Sequence, residues 1–443
     1  MTVTVFIVSL LAAMAIGMPI AYALLVCGVS IMAFLAATSG LVTFDSQILA
    51  QRFVDGADNF PLLAVPFFLL AGEFMNAGGL SRRIVNLAMA WVGHYRGGLG
   101  YVTVIAAVIM ASLSGSAIAD TAALAALLIP MMRAAGYNIG RASGLISAGG
   151  IIAPVIPPSI GLIIFGVAGN VSITKLFLAG IVPGLLMGVA IGMTWWWVAK
   201  KDNVPSARRL DLPERLRVTA DGGFALALPV VIIGGMKLGV FTPTEAAVVA
   251  AVYSFCVGMF VYGELKWSAM YRLILSAGKT TAVVMFLVAA AMVSAWLITV
   301  ANIPTEVANM MQPFIGNKTL LMFIMMVLIV VVGTALDFTP TVLILTPVLM
   351  PLVLKAGIDP VYFGVLFIMN NAIGLITPPR GHRAQRGVRG GQNQHGRSLQ
   401  GRVAFSSGAI GGVVPAGLCA RHRAGTAALA DAITFLPVHR LLD

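Results

Sequence analysis

The stretch IPMMRAAGYN, residues 129–138, returns in altered form as MPLVLKAGID, residues 350–359. Pro130 matches Pro351, Ala135-Gly136 matches Ala356-Gly357, and further on Pro157-Pro158 matches Pro378-Pro379. The offset is constant: 351 minus 130, 356 minus 135 and 378 minus 157 each give 221. A shared offset over three sites marks an internal repeat. In each copy a hairpin-like apolar segment leads into the motif, and a Gly/Pro-interrupted segment follows it. Paired halves of this kind are the pattern of a secondary transporter built on inverted repeats, in which broken helices expose half-helix ends near the membrane midplane.

The composition agrees. Of 443 residues 59% are apolar and only 10% charged, with a mean hydropathy of +0.97. Soluble domains are about half apolar and a quarter charged, so a soluble enzyme is excluded. Disorder is excluded on the same ground, and porin-type barrels because the apolar runs are continuous rather than alternating. At about 20 residues per crossing there is room for roughly ten to twelve membrane segments. The three cysteines, Cys27, Cys256 and Cys419, form no metal or disulfide pattern. No basic n-region precedes the first apolar run, whose first following cation is Arg52; residues 3–36 therefore read as a membrane segment rather than a cleaved leader.

The expected fold is all-α and polytopic. The first half, 1–199, holds a re-entrant hairpin at 97–132 around the tip Ser112-Leu113-Ser114-Gly115-Ser116 and a broken helix at 139–169. Between 59–80 and that hairpin, 82–95 reads as an interfacial amphipathic helix. The span 172–199 ends in Trp195-Trp196-Trp197 beside Lys200-Lys201, an interfacial anchor. A basic linker, 200–220, is predicted to be cytoplasmic. The second half, 221–379, has spans near 222–236, 241–263 and 277–300, a hairpin at 318–355 and a broken helix at 360–379.

Several polar groups in this apolar setting could carry chemistry. The hydroxyls of Ser112, Ser114 and Ser116, with carbonyls freed at Gly115, offer oxygen to a hard cation such as Na⁺. Asp120 lies one turn beyond Ser116; an intramembrane carboxylate is expensive and marks function, but Ala119-Asp120-Thr121 also fits a helix N-cap. In the second half Thr339 reads as an N-cap with Pro340 at N1, which puts Asp337 just before a half-helix. Pairing Asp120 with Asp337 needs a four-residue slip from the repeat. Thr341, Thr346, Asn370, Asn371, Gly374 and Thr377 are the other second-half candidates, and Asn370-Asn371 falls opposite Gly149-Gly150, which suggests a shared break. Thr242-Pro243-Thr244-Glu245 fits a capping box. Glu73 and Lys279 are lone charges. The 23 Met are ordinary membrane filling.

The runs SLSGSAIADTAALAALLIPMMRAAGY (112–137), GGIIAPVIPPSIG (149–161), FTPTEAA (241–247), LDFTPTVLILTPVLMPL (336–352) and NNAIGLITPP (370–379) resemble the large membrane subunit of tripartite ATP-independent periplasmic (TRAP) transporters. Residues 56–85 and the TWWW run at 194–197 are most similar to its 2,3-diketogulonate branch. The resemblance implies an elevator-type secondary transporter of the bacterial inner membrane, not an enzyme. It implies import of a carboxylate, a sugar acid or C4-dicarboxylate, with Na⁺ as coupling ion and no other cofactor or metal. The implied partners are a small four-helix membrane subunit, a periplasmic substrate-binding protein and the bilayer, with no nucleic acid. Carried over, one Na⁺ site draws on Ser114, Ser116, Gly149 and Pro154, and the other on Asp337, Thr339, Asn371, Gly374 and Thr377. Ser112, Asp120, Thr121, Thr341, Thr346 and Asn370 are then substrate-pathway candidates. A stand-alone Na⁺/anion symporter is the alternative; an intramembrane carboxylate dyad of Asp120 and Asp337 is disfavoured, since no second acid or base lies near either.

One segment departs from that resemblance. Residues 1–379 hold 19 Lys+Arg and 14 Asp+Glu, whereas 380–443 hold nine Arg, no Lys and two Asp. This Arg/Gly-rich tail begins in mid-motif and reads as a shift of reading frame. A product so altered would lack its last helix and part of its second broken-helix site, which makes an inactive product a further alternative. The net charge of +12 thus says little about partners of the apolar body.

Overall fold

The computed structural model describes residues 2–38, 45–202 and 209–377. Among the described residues there are helices and no strand. In chain order these are α1 (Thr2–Ala15), α2 (Ile20–Thr38), α3 (Ser46–Ala57), α4 (Ala64–Ala77), α5 (Leu80–Val92), α6 (Gly98–Ser114), α7 (Ala117–Ala134), α8 (Ile139–Gly150) and α9 (Ile160–Gly169). There follow α10 (Ile173–Asp202), α11 (Leu212–Lys237), α12 (Pro243–Cys256), α13 (Met270–Val300), α14 (Ile303–Met310), α15 (Gln312–Ile315), α16 (Lys318–Ala335), α17 (Phe338–Lys355) and α18 (Pro360–Ile376). Nine helical segments among the described residues are long and apolar enough to cross a membrane. The chain is a multi-pass membrane protein.

The 221-residue offset is written into the helix ends. α6 stops at Ser114 and α16 at Ala335; α7 and α17 start at 117 and 338 and stop at 134 and 355; α8 and α18 start at 139 and 360. The repeated AG motif is the turn between them. Gly136 (φ +76°) and Gly357 (φ +64°) take the left-handed conformation that ends a helix. Their N–H groups donate to Arg133 O and Leu354 O, and those of Tyr137 and Ile358 to Met132 O and Val353 O. The next residues, Asn138 and Asp359, cap α8 and α18 by accepting from Arg141 N and Tyr362 N. Helix stop, left-handed turn and helix start thus occupy about five residues in each half, and the sequence identity lies where the backbone demands it.

The same register corrects three expectations. Asp337 corresponds to Ser116, not to Asp120: these two are the N-caps of α17 and α7. Asp120 corresponds to Thr341, so no slip is needed. Thr339 is not a cap but lies in the first turn of α17. Pro340 is compatible with this because the first-turn N–H groups of a helix have no intrahelical acceptor in any case. Nor is Asp120 a cap, since Ser116 Oγ accepts from Ala119 N and Asp120 follows one turn inside α7. The linker is also shorter than its composition suggests. α10 runs to Asp202 and α11 starts at Leu212, with Pro213 in its first turn, so Glu214, Arg215 and Arg217 are helical; residues 203–208 lie outside the described residues.

α5 lies between the membrane-length segments, its apolar side buried through Leu80, Ile84, Val85, Leu87 and Ala88. Its start is fixed by a polar knot. Arg83 pairs with Glu264 Oε1 at 2.7 Å and with Asp221 Oδ2 at 3.2 Å. Its guanidinium lies 3.6 Å from the ring centre of Tyr262. These contacts tie α5 to α11 and to the turn after α12. Gly79 (φ +78°) leaves the room that Glu264 fills. Replacing Arg83 by alanine is expected to cost roughly 1.5–3 kcal/mol, the range for charged hydrogen bonds. Lysine will not restore it, because it lacks the planar fork that pairs and stacks together. Thermal unfolding of the purified protein checks this, and an unchanged midpoint in Arg83→Ala would contradict it.

Among the described membrane-length segments α17 is the most buried. The α17 window is 61% buried, against 28% for α7 and α16 and 22% for α11. α17 packs on α9, α13 and α18, so the capped start of α17 lies at the meeting of the two halves.

Candidate functional site

The first junction is built where the α6–α7 hairpin meets the interrupted helix α8–α9. α8 ends at Gly150, and residues 151–158 do not resume a helix before Ser159 caps α9 by accepting from Leu162 N. Three prolines explain this. Proline lacks an N–H and cannot bond the carbonyl four residues back. Pro157 and Pro158 therefore leave the carbonyls of Ala153 and Pro154 without their helical donors. The Ser159 hydroxyl takes the Pro154 carbonyl, and the Pro157–Pro158 peptide is cis. Residues 151–159 are all buried, which is where membrane-depth irregular backbone is tolerated.

The hairpin tip rests directly on this segment. Gly115 (φ +62°) turns the chain between α6 and α7, and a Cβ added there would fall on the Pro158 carbonyl oxygen. Behind the tip, Asp120 is 2% exposed. Its Oδ1 accepts from Ser114 Oγ, which in turn accepts from Ser116 N at 3.2 Å. Asp120 Oδ2 has no protein partner. Thr121 donates to Ala117 O at 2.6 Å and fills the space that a side chain on Gly150 would need. Ser114, Ser116, Asp120, Thr121 and the proline break are thus brought together. Ser112 instead bonds back to Ile109 O, and Gly149 faces Ala107 of α6.

The second junction is the α16–α17 tip against α18. Asn371 is fully buried and its Nδ2 donates to Phe338 O at 2.9 Å, holding the first residue of α17. Asn371 Oδ1 has no protein partner. Gly333 and Gly374 let α16 and α18 approach: a Cβ on Gly374 would stand 3.0 Å from Gly333 Cα. Asp337 is exposed at the cap, Thr339 is half-buried on the first turn of α17, and Thr377 is half-buried and bonds Ile373 O.

The shared break expected at Asn370-Asn371 is absent. α18 runs unbroken from Pro360 through Gly374 to Ile376, and Asn370 Nδ2 bonds its own helix at Leu366 O. The reason is a missing proline. At the repeat offset Pro154 corresponds to Leu375, whose N–H can continue the helix. Only Thr377 leaves the helical region (φ −86°, ψ 133°), as the residue before a proline tends to. Pro378 and Pro379 lie outside the described residues.

The remaining pathway candidates satisfy their polar groups on their own helix: Thr341 to Asp337 O and Thr346 to Val342 O. Thr346 also packs its methyl on Gly169 of α9. Glu245 and Thr242 form the capping box, and Glu73 accepts from Ser276. Two contacts went unnoticed in the sequence. Phe338 places its ring against Gly161, where a Cβ would stand 2.5 Å from Phe338 Cε1, and so joins the second tip to α9 of the first half. Gly333, which receives Asn371, has no motif around it.

The chemistry of the two junctions is alike. Ser114 commits its proton to Asp120 and one lone pair to Ser116 N–H, so its remaining capacity is to accept. Asn371 commits an amide hydrogen to Phe338 and keeps Oδ1 as an acceptor. Each junction thus presents a buried side-chain oxygen with no donor assigned to it, Asp120 Oδ2 beside Ser114 in the first and Asn371 Oδ1 in the second. Such groups suit a hard, oxygen-seeking cation and are ill suited to an anion.

Known proteins share this sequence and fold. The family model for the DctM component of tripartite ATP-independent periplasmic transporters matches residues 7–388. The 2,3-diketo-L-gulonate TRAP transporter large permease protein YiaN of Escherichia coli is 57% identical over 382 residues, 86% of this chain and 88% of its own. The sialic acid TRAP transporter large permease protein SiaM of Vibrio cholerae is 38% identical over 82% of this chain and 84% of its own. The C4-dicarboxylate TRAP transporter large permease protein DctM of Pseudomonas aeruginosa is 38% identical over 75% and 78%. Among solved structures the YdaH transporter of Alcanivorax borkumensis superposes with a TM-score of 0.61 at 16% identity, covering 88% of this chain and 97% of its own; at that identity the likeness is one of fold.

Proposed function

The chain belongs to the DctM component family of tripartite ATP-independent periplasmic transporters, and from that premise we propose that it imports a carboxylate by Na⁺-coupled symport. It is a multi-pass transporter subunit of the inner membrane. The observation that supports the coupling is a pair of buried oxygens with acceptor capacity left over, Ser114 Oγ and Asn371 Oδ1, one at each hairpin junction. In this reading Ser114, Ser116 and the carbonyls of the 151–159 break hold one Na⁺. Asn371 and the backbone around Gly333 and Gly374 hold the other. Asp337, Thr339 and Thr377 border the second site.

The substrate we favour is a sugar acid, because the relative named for 2,3-diketo-L-gulonate stands at 57% identity and those named for sialic acid and C4-dicarboxylates at 38%. A periplasmic binding protein delivers it, and a small membrane subunit completes the transporter. The hairpins with α8, α9 and α18 form the moving body of an elevator, and the remaining helices the frame.

The test is uptake of labelled sugar acid into proteoliposomes holding both membrane subunits, with binding protein outside. Replacing external Na⁺ by choline is expected to abolish uptake. Uptake that persists in choline would refute the coupling. The tail enters as a second point: we infer a frame shift near codon 380, and translating the other two frames there is expected to reveal an apolar final helix. If neither frame encodes one, the shift is ruled out. These residues lie outside the described ones.

A further inference from the structure

Along the first hairpin, α6 and α10 border an open groove of about 840 Å³. One wall is the α6 stripe Tyr101, Val104, Ile105, Val108 and Ile109, spaced at one helical face. The facing wall of α10 is floored by Gly188 and Gly192 and flanked by Leu185 and Val189. These last two are 47% and 56% exposed. The glycines make the depth: a Cβ at Gly188 would already stand 2.7 Å from Val108.

The groove has one polar end. Tyr95, Arg96 and Trp196 line it there, and Lys200 lies 5.6 Å from the Trp196 ring centre. The Trp195 indole donates to Gly97 O at 2.9 Å, which fixes the Arg96 loop and the Trp cluster at one level. No Asp or Glu is among the lining residues. The positive-inside rule sets this end, beside the basic 200–217 segment, at the cytoplasmic surface, where anionic headgroups lie.

Length selects the occupant. From Leu185 to Trp196 the groove runs about 16 Å at 1.5 Å per residue, half of a hydrocarbon core about 30 Å thick. A crossing helix of another chain would need the whole thickness, whereas an acyl chain needs one leaflet. We propose that this groove binds an anionic phospholipid, with one acyl chain between α6 and α10 and its phosphate at Arg96 and Lys200. The site is separate from the coupling ions and from the transported carboxylate. Its failure would leave the proposed transport intact.

Native mass spectrometry of the purified full chain, offered equal phosphatidylglycerol and phosphatidylcholine, is the test. The wild type is expected to retain phosphatidylglycerol about 30-fold in preference, near fivefold per cation. Arg96→Ala with Lys200→Ala should remove the preference, and Val189→Trp, which fills the groove, should lower retention of both lipids. All three positions are at the surface, and phosphatidylglycerol should raise the thermal midpoint of the wild type but not of these variants. Equal retention by the wild type, or an undiminished preference in the double variant, would overturn the proposal. So would a Val189→Cys variant that cross-links to a helix of another subunit in the assembled transporter.

Discussion

Uptake falls by about 100-fold or more when Gly115 is replaced by alanine, on the scale at which a misplacement of about 1 Å disables a site. Two costs combine at this position. Alanine must adopt φ +62°, a strain of about 1–2 kcal/mol. Its Cβ must also displace the Pro158 carbonyl, which belongs to a buried segment held by Ser159 and by prolines that cannot re-pair. Gly136 separates the two costs. It has φ +76° but nothing within 4 Å of an added Cβ. Gly136→Ala should therefore share the strain, lose some thermal stability and keep most of its transport. The measurement is initial uptake per folded transporter in proteoliposomes. If the two variants transport equally, the contact between hairpin tip and proline break is not what matters.

Replacing Asn371 by leucine raises the Na⁺ concentration needed for half-maximal uptake by about 10-fold or more. An acceptor facing a charge is worth roughly 1.5–3 kcal/mol, and each 1.4 kcal/mol is tenfold. Leucine nearly preserves the volume but removes both the unpartnered Oδ1 and the bond that holds Phe338 O. Asn371→Asp retains an oxygen and adds a charge, so it should bind Na⁺ more readily than the leucine variant while losing the amide donor. Uptake measured against Na⁺ concentration distinguishes them. An unchanged half-saturation point in Asn371→Leu would remove Asn371 from the site.

What the sequence disclosed and what it hid divide along physical lines. The match of 135–136 to 356–357 was legible because helix termination is local: a left-handed residue needs glycine and the next helix a short polar cap, so the same residue types return at the same place. The caps at Ser116 and Asp337 were misread because proline and polar residues are equally tolerated throughout a first turn, and only hydrogen bonds distinguish the positions. The break expected in α18 failed on one residue, Leu375 in place of proline, although the offset pointed to the region. The contacts of Gly115 with Pro158 and of Phe338 with Gly161 bring together residues remote in the chain. No periodicity encodes such meetings; they follow from how finished helices pack.

Phe338 has a consequence of its own. Its carbonyl is held by Asn371 of the second junction, while its ring presses on Gly161 at the start of α9, just beyond the break that forms the first. Close-packed interiors transmit displacement rather than absorb it. One rigid aromatic residue is thus a shared bearing between the two duplicated halves. Neither half can shift the backbone of its junction without pushing on the other, so a displacement at one hairpin tip is felt at the other, like two wards of one lock.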